Sequence, residues 1–413
     1  MEKRKVELMA PAGNWESMRA AIQSGADSIY FGVEQLNMRA RATMNFTVDD
    51  LPEIAKVCGE HGVRTYITLN TIIYDHDLSL VKKIIDQAKD AGITAVIAAD
   101  QAVIMYAKER GVEVHISTQV NVTNVETVKF YSNFADVMVM ARELSLKQMK
   151  AICDDIKRQN ITGPSGKLIE IEVFAHGALC MAVSGKCYLS LHSHNSSANR
   201  GACIQNCRRS YKVIDMEDGN ELEIDNEYIM SPKDLCTIDF LDQLLDTGIS
   251  VMKIEGRGRA PEYVRTVIAC YREAIDSYMD GTYTKEKVAK WMERLSEVYN
   301  KGFWGGYYLG QKMGEWSKEH GSSATTKKIY LGKGLKYFPK VQVGEFKMES
   351  HSLKKGDRVL VTGPTTGVVE AFIEELRVDD VVKEEAIKGE VVNFKIDSLV
   401  RPSDKLYKVV PAQ

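Results

Sequence analysis

No stretch of this chain stays apolar for the roughly 18 residues that a membrane-spanning helix needs. An excess of one charge sign is also missing: 54 Lys and Arg face 57 Asp and Glu, a net of −3. Whole-chain charge therefore does not announce a nucleic-acid binder. The first residues, Met1-Glu2-Lys3-Arg4-Lys5, run straight into a strand-like Val6-Glu7-Leu8-Met9. With no apolar core and no cleavage site there, a secretory leader is not expected, and the chain reads as cytoplasmic. The usual hydrolase and nucleotide motifs are missing too. There is no Gly-x-Ser-x-Gly elbow, no His-Glu-x-x-His and no Gly-x4-Gly-Lys-Ser/Thr loop. Zinc knuckles of the Cys-x-x-Cys kind do not occur. The Cys-x3-Cys-x2-Cys pattern of radical S-adenosylmethionine enzymes fails because Ser210 stands where its third cysteine would be.

What is present is a regular alternation. Hydrophobic residues are 44% of the 413 and charged residues 27%, which excludes a disordered chain. Apolar runs near Val6–Ala10, Ser28–Gly32, Thr65–Asn70, Ala95–Ala99, Glu113–Ser117, Asp136–Met140, Glu170–His176 and Ser250–Glu255 read as strands. They are continuous rather than alternating, as expected of strands covered on both faces. Amphipathic stretches lie between them. One follows Asn14, a candidate cap, and another spans about Ser79–Ala91. Gly25, Gly62, Gly92 and Gly111 sit where helices end and a left-handed residue is needed. Eight such units predict a TIM-type (β/α)8 barrel. A doubly wound sheet is the alternative, but no Gly-x-Gly-x-x-Gly follows the first strand.

The expected organisation is a barrel domain over residues 1–300, a Gly/Ser-rich linker over 301–327, and a β-barrel-like C-terminal domain over 328–413. The last rests on short β-rich runs such as Arg358-Val359-Leu360-Val361 between Gly and Lys turns. A Cys-rich insertion, residues 177–249, precedes the eighth strand and leaves the barrel at the strand ends where active sites of this fold lie.

That insertion holds five of the eight cysteines. Cys180, Cys187, Cys203 and Cys207 are separated by six, fifteen and three residues, and Cys236 follows 28 residues later. In a long chain without a leader this reads as metal or cluster chemistry rather than a disulfide framework. Four thiolates suit a [4Fe-4S] cluster or a zinc ion, while five unligated, partly buried cysteines are the plain alternative. Polar residues at the strand ends form the second constellation: Glu34, Arg39, Asn70, Gln119, Asn121, Arg142, Glu143, His176, Glu255 and Arg257. Arg142 and Arg257 together suit a carboxylate ligand. Lys253 to Arg257 could equally form a buried ion pair closing the barrel. A Cys–His dyad using His176, His192 or His194 is weakly suggested, and His115, inside a strand, reads as a core residue.

The run Glu172-Val173-Phe174-Ala175-His176-Gly177-Ala178-Leu179-Cys180, continued by Gly185-Lys186-Cys187-Tyr188-Leu189-Ser190, resembles the signature of the collagenase-like peptidases, family thirty-two of the unclassified peptidases. Met9-Ala10-Pro11-Ala12-Gly13 and Lys253-Ile254-Glu255-Gly256-Arg257 are similar to that family as well. The resemblance covers about residues 6–300, and the β-rich tail resembles the family's C-terminal extension. It implies oxygen-independent hydroxylation, and the length and tail fit the branch that converts the tRNA wobble uridine to 5-hydroxyuridine with prephenate as hydroxyl donor. It also implies a [4Fe-4S] cluster on Cys180, Cys187, Cys203 and Cys207, the last two within Gly201-x-Cys203-x3-Cys207-Arg208-x2-Tyr211. Some branches use a later cysteine, so Cys236 stays open as a fourth ligand. Arg142, His176, Glu255 and Arg257 are the candidate catalytic residues. The expected partners are prephenate, a tRNA anticodon loop and either a paralogous subunit or a second copy. From residue 327 on, 16 basic residues meet 13 acidic ones, and Lys333, Lys336, Lys340, Lys354 and Lys355 could grip an RNA backbone or form an ordinary solvated face. A peptidase and a non-catalytic iron–sulfur partner subunit are the competing readings.

Overall fold

The computed structural model describes residues 6–41, 45–212, 228–310, 314–318 and 321–412. Residues 1–5, the segment read for a leader, and residues 213–227 of the insertion lie outside them. Eight parallel strands close a barrel: β1 (Glu7–Pro11), β2 (Ser28–Phe31), β3 (Arg64–Leu69), β4 (Ala95–Ala98), β5 (Glu113–Ile116), β6 (Val137–Val139), β7 (Glu170–Gly177) and, after the insertion strand β8 (Asp234–Cys236), β9 (Val251–Ile254). Each pairs with the next, β7 pairs with β9, and β9 returns to β1 with Glu7 opposite Val251. The predicted runs are these strands, displaced at most by a residue or two at their ends.

Helices α1 (Trp15–Gln23), α2 (Leu51–Glu60), α3 (Leu78–Asp90), α4 (Gln101–Glu109), α5 (Val125–Tyr131) and α6 (Leu146–Arg158) cover the outer face. Asn14 caps α1, its side chain accepting from the Ser17 amide at 2.8 Å. α3 shows how the sequence decides which face is buried: Val81, Ile84, Ile85 and Ala88 lie inward at helical spacing. The insertion adds α7 (Leu189–His194) and α8 (Leu241–Leu245), and α9 (Pro261–Met279) and α10 (Lys285–Glu297) complete the domain. Pro261 opens α9, where a missing amide hydrogen costs nothing.

The segment read as a linker does more than connect. It carries β10 (Phe303–Trp304), which pairs with β8 and so ties residues beyond the barrel back to the insertion. The tail is antiparallel, as expected of a β domain. Its main sheet has eight strands, built on β11 (Thr326–Phe338), β12 (Val343–Met348) and the strands Arg358–Gly363, Gly367–Phe372 and Lys405–Pro411, with shorter strands between. Leu331, Phe346, Val359, Val361, Phe394 and Leu406 form a core of its own. This domain docks on the side of the barrel rather than over its mouth. Leu360 and Val368 pack on Ala20 of α1, and Arg265 of α9 reaches Glu370 at 2.6 Å. Among the described residues no helix is long and apolar enough to cross a membrane.

Candidate functional site at the barrel mouth

Two glycines show how closely the backbone is drawn together at the C-terminal ends of the strands. A Cβ on Gly13 would fall 1.9 Å from the Arg257 carbonyl oxygen, and one on Gly32 would fall 2.5 Å from the Arg257 guanidinium. Only glycine lets the first and second strand ends close onto Arg257. That guanidinium is buried, at 5% exposure, and donates to Asn37 Oδ1 at 3.1 Å and Thr68 Oγ1 at 2.9 Å. Both partners are neutral. Burial, only partly offset by Tyr30 and Glu255, pulls its pKa down to about 10.

Glu255, two residues earlier, pairs with Arg39 at 2.7 Å. Burial would raise its pKa, but Arg39, Arg259 and Arg142 outweigh that and hold the carboxyl down at about 2. Arg142 donates to the Ala178 carbonyl at 2.8 Å and lies 3.7 Å from the centre of the Phe174 ring. Its Nε has no hydrogen-bond partner among the described residues, and burial lowers its pKa. Beneath this layer Lys253 pairs with Glu172 at 2.8 Å, both buried. The Lys253 to Arg257 run does not pair within itself: Lys253 pairs with Glu172 on the neighbouring strand β7, and Glu255 with Arg39 from the loop after β2.

The insertion folds over this mouth. Asn121 donates to the Ser184 carbonyl at 3.0 Å, the Ile72 amide donates to the Asn199 carbonyl at 3.1 Å, and Arg200 pairs with Asp77. Arg208 laces the cysteine loops together, donating to the carbonyls of Leu179 and Pro232, each at 2.6 Å. Cys180 is exposed, and Cys187, Cys203 and Cys207 are half-buried. Burial pushes the Cys207 thiol pKa up. Arg208 opposes this, and the thiols of Cys180, Cys203 and Cys187 are close enough to push it further. The four therefore share one electrostatic neighbourhood. It adjoins the arginine layer, because Cys203 acts on Arg39 and Cys180 on Arg142.

Two expected members lie elsewhere. Cys236 is buried on β8, 3.8 Å from the Met292 sulfur and 3.9 Å from the Tyr271 hydroxyl, and burial raises its thiol to about 12. It faces α9 and α10, on the side of Cys270 rather than of Cys180, Cys187, Cys203 and Cys207. His176 is 1% exposed and packs between the rings of Tyr271, Tyr263 and Phe303, against α9. A bulge between Phe174 and His176 is the reason: one extra residue turns the side chain to the opposite face of the strand. Burial, with Arg259 adding to it, pulls its pKa down to about 3, so it is neutral. Sequence reasoning passed over Arg259, Tyr30, Thr68 and Asn37. Tyr30 and Thr68 lie within β2 and β3, where they read as ordinary strand residues, and Asn37 and Arg259 lie in the loops after β2 and β9.

Four thiols are the donor set that a [4Fe-4S] cluster takes. Among the described residues no three of His, Cys, Asp and Glu converge tightly enough to hold one metal ion. Cys180, Cys187, Cys203 and Cys207 are the residues that would hold such a cluster. In the tail, Lys333, Lys336, Lys340, Lys354 and Lys355 are all exposed, but Lys333 pairs with Glu349 at 3.0 Å and Lys354 with Glu385 at 3.6 Å.

The chain is 56% identical to a Porphyromonas gingivalis protein named collagenase, with 99% of each chain covered. It is 30% identical to the Bacillus subtilis tRNA hydroxylation protein P1, over 98% of this chain and 95% of that one. It is 31% identical to the Escherichia coli 23S rRNA 5-hydroxycytidine C2501 synthase, over 84% of this chain and 54% of that one. The pattern of peptidase family U32 matches residues 13–318. The barrel, its cysteine-bearing insertion and its arginine-lined mouth are thus those of a member of peptidase family U32.

Proposed function

We propose that this protein acts in oxygen-independent hydroxylation of an RNA pyrimidine, converting the tRNA wobble uridine to 5-hydroxyuridine with prephenate as hydroxyl donor. The observation that carries the reading is the charge balance of the mouth beneath four gathered thiols. Arg39, Arg142 and Arg259 act on the Glu255 carboxylate and Arg257 is buried within its reach, while Arg259 also lies 3.9 Å from Asp234, whose pKa burial raises even against Arg259 and Arg208. The guanidiniums outnumber the carboxylates, and a dianion such as prephenate would balance them. Arg257 and Arg142 are the groups best placed to bind it, since among the described residues neither has a carboxylate hydrogen-bonded to it and the Arg142 Nε has no partner. Glu255 orients Arg39 and stays ionised. Held near 2, it is a poor proton acceptor at neutral pH. A [4Fe-4S] cluster on Cys180, Cys187, Cys203 and Cys207 would supply Lewis-acid and one-electron chemistry beside that anion. The relatives named for tRNA and rRNA hydroxylation support this reading.

Mass spectrometry of nucleosides from a deletion strain tests it. Loss of 5-hydroxyuridine or its derivatives, restored by the gene and not by Arg257→Leu, is the expected result. An unchanged nucleoside profile in tRNA and rRNA would overturn it. The collagenase name of the 56% identical relative favours peptide cleavage as a second reading. The Ser–His hydrogen bonds among the described residues, Ser193–His194 and Ser350–His351, join exposed sequence neighbours, and Ser193 already donates to the Leu189 carbonyl. Gelatin cleavage by the purified chain, abolished by Cys180→Ser, would turn the balance to that reading.

A further inference from the structure

A second hollow opens on the same face, between the ends of β3, β4 and β5 and the cysteine loop. It has a volume of about 270 Å³, and Asn70, Thr71, Gln119, Tyr131, Lys186 and Asn199 are in its wall. Two wall residues are buried yet incomplete. Thr71 is 2% exposed and Asn199 is 7% exposed, and neither Thr71 Oγ1 nor Asn199 Oδ1 has a hydrogen-bond partner among the described residues. Folding alone gives no reason to bury such atoms, because an unpaired polar group loses its water without recompense.

The neighbouring groups are held in place. Asn70 Oδ1 accepts from the Met38 amide at 3.2 Å, and its Nδ2 donates to Gln119 Oε1 at 3.3 Å. Ser117 also donates to Gln119 Oε1. With that oxygen occupied, the Gln119 NH₂ is left to donate into the hollow. Asp100, also in the wall, is engaged by the amides of Ile73 and Ala102 and brings a carboxylate to the same hollow as Lys186. A dianion is therefore not favoured here, unlike at the arginine layer. What the wall offers is a mixture: the Gln119 amide and Lys186 as donors, the Asn199 carbonyl as acceptor, and the Thr71 hydroxyl as either. Ile72 and Val120 add apolar surface and Tyr131 a ring.

We infer that this hollow receives the flipped-out pyrimidine ring of the RNA, with uracil the best match. The edge of uracil presents acceptor, donor and acceptor in turn, which pairs with donor, acceptor and donor in the wall. The inference rests on the RNA-hydroxylation reading and assigns that reading its base pocket. Lys186 immediately precedes Cys187, and the Met38 amide held by Asn70 immediately precedes Arg39. A base here would thus lie next to residues that neighbour a cysteine and an arginine of the site.

The test uses Thr71→Val and Asn199→Leu in the full chain, together with 4-thiouridine crosslinking of the unaltered chain in cells. Because the two polar atoms bond nothing in the fold, a purely structural role predicts unchanged modification and an unchanged or raised melting temperature. The pocket predicts that same melting temperature with a roughly tenfold or greater fall in hydroxylated pyrimidine, about one hydrogen bond's loss. Crosslinked nucleotide should map to peptides around Ile72, Val120 or Lys186. Full modification by both variants, or crosslinks that form only outside the hollow, would overturn the pocket while leaving the RNA reading intact. Deletion-strain RNA that lacks no hydroxylated pyrimidine would overturn the RNA reading itself, and the pocket with it.

Discussion

Replacing Glu255 by Gln removes the carboxylate on which the mouth's guanidiniums converge. In the wild type that group has a pKa near 2 against an ordinary 4.5, because Arg39, Arg259 and Arg142 outweigh the cost of burial. A depression of roughly 2.5 units corresponds to about 3 kcal/mol of preference for the charged form. The folded pKa lies below the unfolded one, so this stabilisation is complete above the unfolded value. It is lost as the pH falls through 4.5 toward 2. Gln cannot ionise and has none of it. The variant should therefore be less stable by about 3 kcal/mol at neutral pH and by only about 2 kcal/mol near pH 3.5. Urea unfolding followed by circular dichroism, run on both proteins at each pH, measures the gap. A gap under about 1 kcal/mol at neutral pH, the size of an exposed pair, would refute the reasoning, as would one that fails to narrow on acidification.

Three further outcomes are expected. Lys253→Met should cost about 3–5 kcal/mol in the same urea assay by stranding buried Glu172, and Lys253→Met with Glu172→Leu should recover most of it. His176→Phe should leave activity near wild type and flatten the acid limb of stability. The wild-type His is buried neutral with its pKa lowered from 6.5 to about 3, so its contribution is full above 6.5 and fades as the pH falls toward 3; melting temperatures across that window check this. Cys207→Ser should abolish iron and acid-labile sulfide in protein purified without oxygen, while Cys236→Ser should keep both, because Cys236 sits among Met292 and Tyr271 rather than the other thiols. Iron retained by the first and lost by the second would reverse the ligand assignment.

The barrel was legible because its physics is local. A strand buried on both faces must be apolar at consecutive positions, as Ala95 to Ala98 are, and each turn back to the sheet needs a left-handed residue, supplied by Gly25, Gly62, Gly92 and Gly111 at φ between 66° and 86°. β10 was not legible. Phe303 and Trp304 are two residues in a glycine-rich stretch, and only the distant β8 makes them a strand. The same holds for the pairing of Arg39 with Glu255, whose partners are 216 residues apart in the chain.

The site shows where reading by position along a strand breaks down. Glu172 and Phe174 point to the barrel interior, so simple alternation sends His176 there too, toward Arg142 and the cysteines. One bulged residue reverses that and buries the ring against α9, where it is neutral and enclosed by aromatics. Cys236 follows from the same local event. β8 pairs antiparallel with the end of β7, placing Cys236 opposite His176, so both residues share the environment behind the strand. Cys180 comes four residues after His176, once the chain has left the sheet, and turns back over the mouth with Cys187, Cys203 and Cys207. A single bulge at the end of β7 thus separates the residues that pack the barrel wall from those that build the site above it, and no spacing rule in the sequence encodes that division.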